Sequence, residues 1–280
     1  MFSYRHAYHA GNYADVFKHL CQMMIINKLK EKQKPFVYMD SHSGAGLYQL
    51  DSDMASKNKE FRAGVDRLVD KAADNPELLA YLQLVNEFRV DNQYPGSPAI
   101  AAHLLRAQDR LCLMEWHNNE FANLQRYLYR DKRVACHHRD GYEGLVALTP
   151  PDPARGLILI DPPYELAEDY QKVVQVISKI QQRWPTGIIA LWYPLLASQR
   201  DKSQPMIEAL HATQPINLYV AEVWVKQQQQ ELGMHGSGMA FINLPWQLDG
   251  KIEACLPLLA EAMEEPGQGG FRSHWLIEAK

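Results

Sequence analysis

Short hydrophobic runs rich in β-branched and aromatic residues recur along the chain, and segments with helical spacing lie between most of them. This alternation is typical of a mostly parallel sheet with helices packed on its faces. The pattern predicts an α/β fold with seven strands, at residues 35–40, 110–116, 133–140, 156–161, 186–193, 216–225 and 238–244. Before the first strand, residues 15–30 place apolar side chains on one helical face, which predicts a helix there.

One stretch interrupts the alternation. Residues 51–91 are mostly polar and charged, have helical spacing and contain no strand-like run. In a nucleotide-binding sheet the acidic residues that end the first and second strands are about 20 residues apart, but Asp40 and Glu115 are much farther apart. We therefore predict a single domain over residues 1–280 with an inserted helical subdomain at 51–93.

Composition narrows the choice of compartment and partners. No apolar run approaches the roughly 20 residues of a membrane span, and no signal segment opens the chain, so we expect a cytoplasmic protein that binds no membrane. The four cysteines are scattered without a CxxC pair, which predicts neither disulfides nor a metal site. The net charge of −4 argues against a protein that coats nucleic acid indiscriminately. We expect a monomer.

Acidic residues end three predicted strands in succession. Asp40 opens the loop Asp-Ser-His-Ser-Gly-Ala-Gly, which lacks the glycine and lysine spacing of phosphate-binding loops and suits a cofactor without phosphate. A carboxylate there suits the amino group of a methionyl moiety, Glu115 can accept hydrogen bonds from ribose hydroxyls, and Asp140 before Gly141 can receive an adenine amine. Each acid could also be a helix cap. Because ligands bind at the carboxyl ends of parallel strands, we expect the three acids to converge on one crevice.

The most specific motif follows the fourth strand, where a buried apolar run leads into Asp161-Pro162-Pro163-Tyr164. Two prolines stiffen the turn and remove two backbone donors. Methyl transfer to an aromatic amine requires acceptors that hold its hydrogens and direct the nitrogen lone pair. Asp161 and the Pro162 carbonyl can supply such acceptors, and Tyr164 can stack on the base.

An Asp-Pro-Pro-Tyr turn after a buried strand, following a Gly-Ala-Gly loop, resembles the methyltransferases that act on adenine N6. Further blocks are similar, from end to end of the chain, to the bacterial RlmJ family of 23S rRNA adenine-N6 methyltransferases. They are Tyr4-Arg5-His6, His9-Ala10-Gly11-Asn12, Asp15, Lys18-His19, Tyr94-Pro95-Gly96-Ser97-Pro98 and Leu191-Trp192-Tyr193-Pro194. The resemblance implies a Rossmann-like class I methyltransferase sheet, S-adenosyl-L-methionine as cofactor, no metal, and an unstacked adenine of 23S ribosomal RNA as substrate.

Site residues follow from the same resemblance, and none of these positions departs from the family pattern. Asp161 is the expected catalytic carboxylate. By the resemblance, Tyr4 and His6 close over the substrate adenine and Lys18 lies beside the reacting centre. The residues expected to line the cofactor site are His19, His42, Ser97, Glu115, Asp140, Gly141 and Asp161.

Three other functions remain open at this stage. A DNA adenine methyltransferase would share the turn and the cofactor, although no long basic segment that could read bases is apparent. Related turns also methylate protein amides, usually with Asn in place of Asp161. A nonenzymatic RNA-binding module on a methyltransferase fold is the alternative of a different class, and the intact acids at the strand ends argue against it.

Overall fold

The computed structural model describes residues 6–52 and 59–278, and within them an eight-stranded sheet forms the centre of the protein. The strands of the described chain are β1 (Val37–Asp40), β2 (Leu47–Gln49), β3 (Gln93–Pro95), β4 (Arg110–Glu115), β5 (Val134–His138), β6 (Gly156–Ile160), β7 (Ile188–Leu196), β8 (Leu218–Trp224), β9 (Met234–Ile242) and β10 (Gly270–Ile277). The order across the sheet is β10-β8-β9-β7-β6-β1-β4-β5, and β2 pairs with β3 separately.

Five neighbouring strands, β5, β4, β1, β6 and β7, run parallel, while β9 is antiparallel to β7 and β8. In this register Asp40 pairs with Leu113 of β4 and Leu159 of β6. The ends of the three central strands therefore meet at one edge of the sheet. The predicted Rossmann-like α/β fold and its seven strands are confirmed.

The eighth strand, β10, was not predicted. It pairs antiparallel with β8 at the edge of the sheet and buries none of its residues fully. Its sequence, Gly-Phe-Arg-Ser-His-Trp-Leu-Ile, mixes polar and apolar residues. An edge strand that is not covered on both faces lacks the continuous apolar run that identified the central strands.

Eight α-helices flank the sheets in the described residues. They are α1 (Tyr13–Lys30), α2 (Pro76–Arg89), α3 (Ser97–Leu104), α4 (Asn118–Leu128), α5 (Gly141–Leu148), α6 (Glu168–Arg183), α7 (Ser203–Ala212) and α8 (Leu248–Met263). Helices α1 and α8 pack on one face of the sheet, whereas α5, α6 and α7 contribute to the core on the other. None of the helices in residues 6–52 and 59–278 is long and apolar enough to cross a membrane.

Helix α1 fills the space beside the centre of the sheet and contains the predicted helix at 15–30. The side chain of Asn12 caps it by accepting hydrogen bonds from the backbone N–H groups of Ala14 and Asp15. Most of its residues are buried, including the polar side chains of Asp15, Lys18 and His19. Charged groups are rarely buried without partners, so these three residues indicate a polar site within the fold.

The segment that was predicted as an inserted subdomain contains three short 3-10 helices, Glu60–Arg62, Val65–Leu68 and Ala72–Asp74, followed by α2. Its buried residues, such as Leu68 and Tyr81, belong to the same hydrophobic cluster as α1 and the sheet. The segment thus contributes to the main core. The division of the chain into one domain and an inserted subdomain remains a prediction.

Candidate active site

A cavity of about 210 Å³ lies where β1, β4 and β6 end. Ten of the predicted site residues line this cavity, and they come from positions between 6 and 162. They are His6, Lys18, His19, His42, Ser97, Glu115, Asp140, Gly141, Asp161 and Pro162. Tyr4 lies outside the described residues. Apart from Tyr4, the predicted site residues all line this cavity except Tyr164, and Asp40, the first of the three strand-end acids, does not line it either.

Asp161 lies directly after the fully buried strand β6, and its backbone N–H donates to Oγ of Ser41 over 3.3 Å. One carboxylate oxygen, Oδ2, accepts a hydrogen bond from Nζ of Lys18 at 2.5 Å. The side chain of Asp161 is 15% exposed, whereas that of Lys18 is 5% exposed. A buried ammonium group thus holds one oxygen of the predicted catalytic carboxylate, and the side chain remains open to the cavity.

Lys18 has a second carboxylate partner, Asp15, whose Oδ1 lies 2.9 Å from Nζ. Oδ2 of Asp15 accepts hydrogen bonds from Nε2 of His6 at 2.9 Å and from the backbone N–H of Gly11 at 3.0 Å. Burial opposes ionisation of this carboxyl, but His6 and Lys18 hold the pKa of Asp15 well below its ordinary value. Asp15 belongs to the pattern of residues that resembles the family, but the sequence indicated no role for it.

Glu115 and Asp140 also line the cavity. Glu115 accepts hydrogen bonds from the backbone N–H groups of Gly44 and His117, and burial raises the pKa of its carboxyl. Asp140 caps helix α5 through Oδ1, while Oδ2 lies 3.0 Å from Nζ of Lys172. Asp140 is therefore a helix cap, as the sequence allowed, and it lines the cavity as well.

The third acid, Asp40, does not line the cavity, contrary to what the sequence suggested. Its side chain is fully buried because Oδ2 accepts hydrogen bonds from the hydroxyls of Tyr38 and Ser97, and Oδ1 accepts one from the backbone N–H of His42. Burial raises the pKa of Asp40 to about 6. Asp40 fixes the positions of Ser97 and His42, which do line the cavity.

Two histidines of the cavity are held neutral by their surroundings. Burial lowers the pKa of His19 to about 3 and that of His42 to about 4. Nδ1 of His19 lies 3.0 Å from the hydroxyl of Tyr94, and Nδ1 of His42 lies 2.7 Å from that of Ser41. At neutral pH both imidazoles therefore offer hydrogen-bonding groups without charge.

Tyr164 is placed differently from the sequence expectation. Its side chain is 6% exposed, its hydroxyl donates to the carbonyl of Trp192 at 2.9 Å, and its ring lies 4.5 Å from that of Tyr170. It is not among the residues that line the cavity. The rigid turn gives Tyr164 a positive φ of 49°, and in this conformation the ring packs into the core, where it cannot stack on a base in the cavity.

One aromatic side chain that lines the cavity is that of Trp192, to which the sequence pattern assigned no role. Its indole N–H donates to Oγ of Ser237 at 2.7 Å, and Nζ of Lys18 lies 5.8 Å from its ring centroid. The ring is thereby fixed beside the Lys18–Asp161 pair. Residues Ser41, Ser43, Tyr48, Trp116, His117, Tyr142 and Lys172 also line the cavity and were not predicted.

Comparisons with known proteins agree with this geometry. The family described as ribosomal RNA large subunit methyltransferase D, RlmJ, matches residues 33–277. Ribosomal RNA large subunit methyltransferase J of Escherichia coli is 43% identical over 280 residues, and that of Haemophilus influenzae is 39% identical over 281, each with 99% of both chains covered. The crystal structure of protein LPL1258 from Legionella pneumophila superposes with a TM-score of 0.86 at 30% identity, covering 95% of this chain and 98% of that one. The resemblance predicted from the sequence is confirmed, and the chain belongs to the RlmJ family of ribosomal RNA large subunit methyltransferases.

Proposed function

We propose that this protein is an S-adenosylmethionine-dependent methyltransferase that methylates the N6 amine of an adenine in 23S ribosomal RNA. One observation carries the proposal. The carboxylate of Asp161, on a proline-stiffened turn at the end of a buried strand, faces a cavity that also contains Glu115 and Asp140. Membership of the RlmJ family favours RNA over DNA or a protein amide.

The residues on the Glu115 side fit the adenosine part of the cofactor. Glu115 is a largely buried carboxylate whose partners are two backbone N–H groups, so its remaining lone pairs can accept hydrogen bonds from ribose hydroxyls. Gly141, next to Asp140, lines the same cavity. His19, His42 and Ser97 complete the proposed cofactor site. When bound, S-adenosylmethionine supplies an electrophilic methyl group on its sulfonium.

The residues on the Asp161 side fit an aromatic amine. Among the described residues Oδ1 of Asp161 makes no hydrogen bond, while Oδ2 is held by Lys18. Oδ1 and the carbonyl of Pro162 can therefore accept the two hydrogens of the amine, which directs the nitrogen lone pair out of the ring plane and toward the methyl donor. The nitrogen gains a positive charge as it attacks, and the Asp161 side chain can stabilise that charge and take the released proton.

The adenine ring itself needs flat surfaces on either side. Trp192 offers one within the cavity, and His6, whose ring centroid lies 5.0 Å from that of Tyr48, borders it as well. Stacking on such rings contributes about 1–3 kcal/mol per base in single-stranded recognition. We assign Trp192 the stacking role that the sequence had given to Tyr164, with Tyr4 as a further expected contact.

The test is methyl transfer from labelled cofactor to 23S rRNA, duplex DNA or total protein, followed by nucleoside analysis. We expect label only in RNA and only as N6-methyladenosine. Asp161→Asn should lower the transfer rate by at least about 100-fold and leave the circular dichroism spectrum of the folded protein unchanged. Asp131→Asn, the same change at a surface partner of Arg133, should keep the wild-type rate. Transfer to DNA or protein, or an active Asp161→Asn variant, would overturn the proposal.

A ribosomal substrate would place the enzyme in the cytoplasm. The monomeric state stays a prediction, and an elution volume in size-exclusion chromatography matching 32.1 kDa would support it.

A further inference from the structure

Asp15 is a buried acidic residue to which the proposed function assigns no role. Its side chain is 2% exposed, although carboxylates are seldom buried to this extent without a reason. Capping of helix α1 does not require it, because the side chain of Asn12 already accepts the N–H groups of the first turn. Its side-chain partners include His6 and Lys18, which both line the cavity.

Those partners connect two parts of the cavity. Before the helix, Oδ2 of Asp15 accepts hydrogen bonds from His6 and from the backbone N–H of Gly11. One helical turn later, Oδ1 binds Lys18, and Lys18 binds Asp161. A continuous line of contacts therefore runs from the segment that precedes α1, through Asp15 and Lys18, to the carboxylate proposed to hold the target amine.

The charges along this line of contacts determine how Lys18 is placed against Asp161. The ammonium of Lys18 lies between two carboxylates, at 2.9 Å from Asp15 and 2.5 Å from Asp161. In a buried setting each of the two attractions is strong. Without the charge of Asp15, the ammonium would be drawn further onto Asp161 and toward Oδ1, the oxygen that the target amine needs. With Asp15 ionised, Lys18 binds only one side of Asp161.

We infer that Asp15 is a positioning residue, which holds His6 over the substrate and restrains Lys18 so that Asp161 keeps one oxygen open for the adenine amine. This inference rests on the proposed function. Asp15 touches neither substrate nor cofactor in this arrangement, and it acts through His6 and Lys18.

The chain offers a matched control for the test. Glu60 also anchors the segment before α1, since it accepts hydrogen bonds from His9 and Asn12, and its hydrogen bonds within the described residues do not include Lys18. Asp15→Asn and Glu60→Gln make the same chemical change, from a carboxylate to an amide of equal size. Only the first should affect Lys18.

The first measurement is single-turnover methyl transfer to 23S rRNA at saturating cofactor. Asp15→Asn should lower the rate by about 100-fold, the loss typical of a displaced reacting group, and Glu60→Gln by less than about threefold. When Lys18→Met is already present, adding Asp15→Asn should cost less than about threefold, because residues that act through one another are not additive. A merely structural role for Asp15 would instead give two independent, multiplying losses.

The second measurement needs neither cofactor nor RNA. Acetylation of Lys18, followed by mass spectrometry and scaled to the exposed Lys179, should be about tenfold faster in Asp15→Asn, because the ion pair with Asp15, which helps to shield the ammonium, is lost. Glu60→Gln should acetylate Lys18 at the wild-type rate.

The outcomes separate the two claims. Wild-type transfer and wild-type Lys18 reactivity in Asp15→Asn would overturn the inference and leave the proposed function intact, as would equal effects of Asp15→Asn and Glu60→Gln. An inactive wild-type protein would overturn the proposed function and the inference together.

Discussion

Gly141 is the position where a single added methyl group should disturb the site most. A Cβ built there would lie 1.8 Å from the carbonyl oxygen of Ser41, and the next nearest atoms are also backbone atoms of Ser41. The two segments would have to separate by roughly 1.5 Å to reach ordinary van der Waals contact. Backbone atoms cannot rotate away as a flexible side chain can, so the start of α5 or the loop after β1 must move.

We expect Gly141→Ala to destabilise the protein by about 3 kcal/mol, the upper part of the range for overpacking in a close-packed interior. For a chain of this size that corresponds to a fall in Tm of roughly 5–10 °C. Because Ser41, Gly141 and Asp140 all line the cavity, affinity for S-adenosylhomocysteine should also fall, by at least about tenfold.

Thermal unfolding followed by circular dichroism, together with calorimetric titration of S-adenosylhomocysteine, measures both effects. Gly250→Ala is the matched control, because a Cβ at this exposed position of α8 meets no atom within 4 Å. It should be neutral or stabilising by up to about 1 kcal/mol, as expected for glycine to alanine within a helix. A Gly141→Ala protein with wild-type Tm and affinity would refute the close contact between α5 and the β1 loop.

Three further predictions concern His19 and Trp192, which line the cavity, and Tyr164, which packs in the core. The pKa of His19 is about 3 in the folded protein, against 6.5 for an unperturbed histidine. As pH falls, the unfolded state therefore binds a proton at His19 before the folded state does. The contribution of the neutral His19 to stability is complete above pH 6.5 and is lost as pH falls below it. Urea unfolding at pH 7.5 and 5.0 should therefore show a change in stability that differs between wild type and His19→Gln by about 2 kcal/mol, with the greater loss at pH 5.0 in wild type; equal changes in both proteins would contradict the neutral, buried imidazole. Tyr164→Phe should lower the free energy of unfolding by about 1 kcal/mol in urea, because one hydrogen bond is lost, and should keep the wild-type rate of RNA methylation. A large loss of rate would indicate that Tyr164 contacts the substrate after all. Trp192→Leu should lower kcat/KM for RNA by roughly 10–100-fold without changing affinity for S-adenosylhomocysteine, and an equal loss of both would argue against stacking on the substrate base.

The central sheet was predictable because its strands are buried on both faces and therefore appear as continuous apolar runs, as in β6. The convergence of Glu115 and Asp140 on one cavity followed from the same parallel arrangement, which brings the carboxyl ends of strands to one edge. The lining of the cavity by His6, Lys18 and His19 did not follow from spacing. It was predicted through the family resemblance, because Lys18 and His19 reach the site from helix α1 and His6 reaches it from the segment before α1, both of which precede the sheet.

What the sequence misjudged were the directions of two side chains at the ends of apolar strands. Asp40 ends β1 and Tyr164 lies in the turn after β6, yet each finds its partners within the fold, Asp40 in Tyr38 and Ser97, and Tyr164 in the carbonyl of Trp192. Buried polar groups are satisfied wherever a partner is near, and the partners here come from other elements or from the preceding strand. Such pairings depend on three-dimensional packing that a linear pattern does not contain.

The proposed chemistry depends on Asp161 holding the target amine in the cavity. A crystal structure of the protein with S-adenosylhomocysteine and adenosine monophosphate measures this directly. We predict that the adenine N6 lies about 3 Å from Oδ1 of Asp161 and from the carbonyl oxygen of Pro162, with the ring against Trp192. An adenine bound with its amine turned away from Asp161, or bound outside this cavity, would contradict the proposed mechanism.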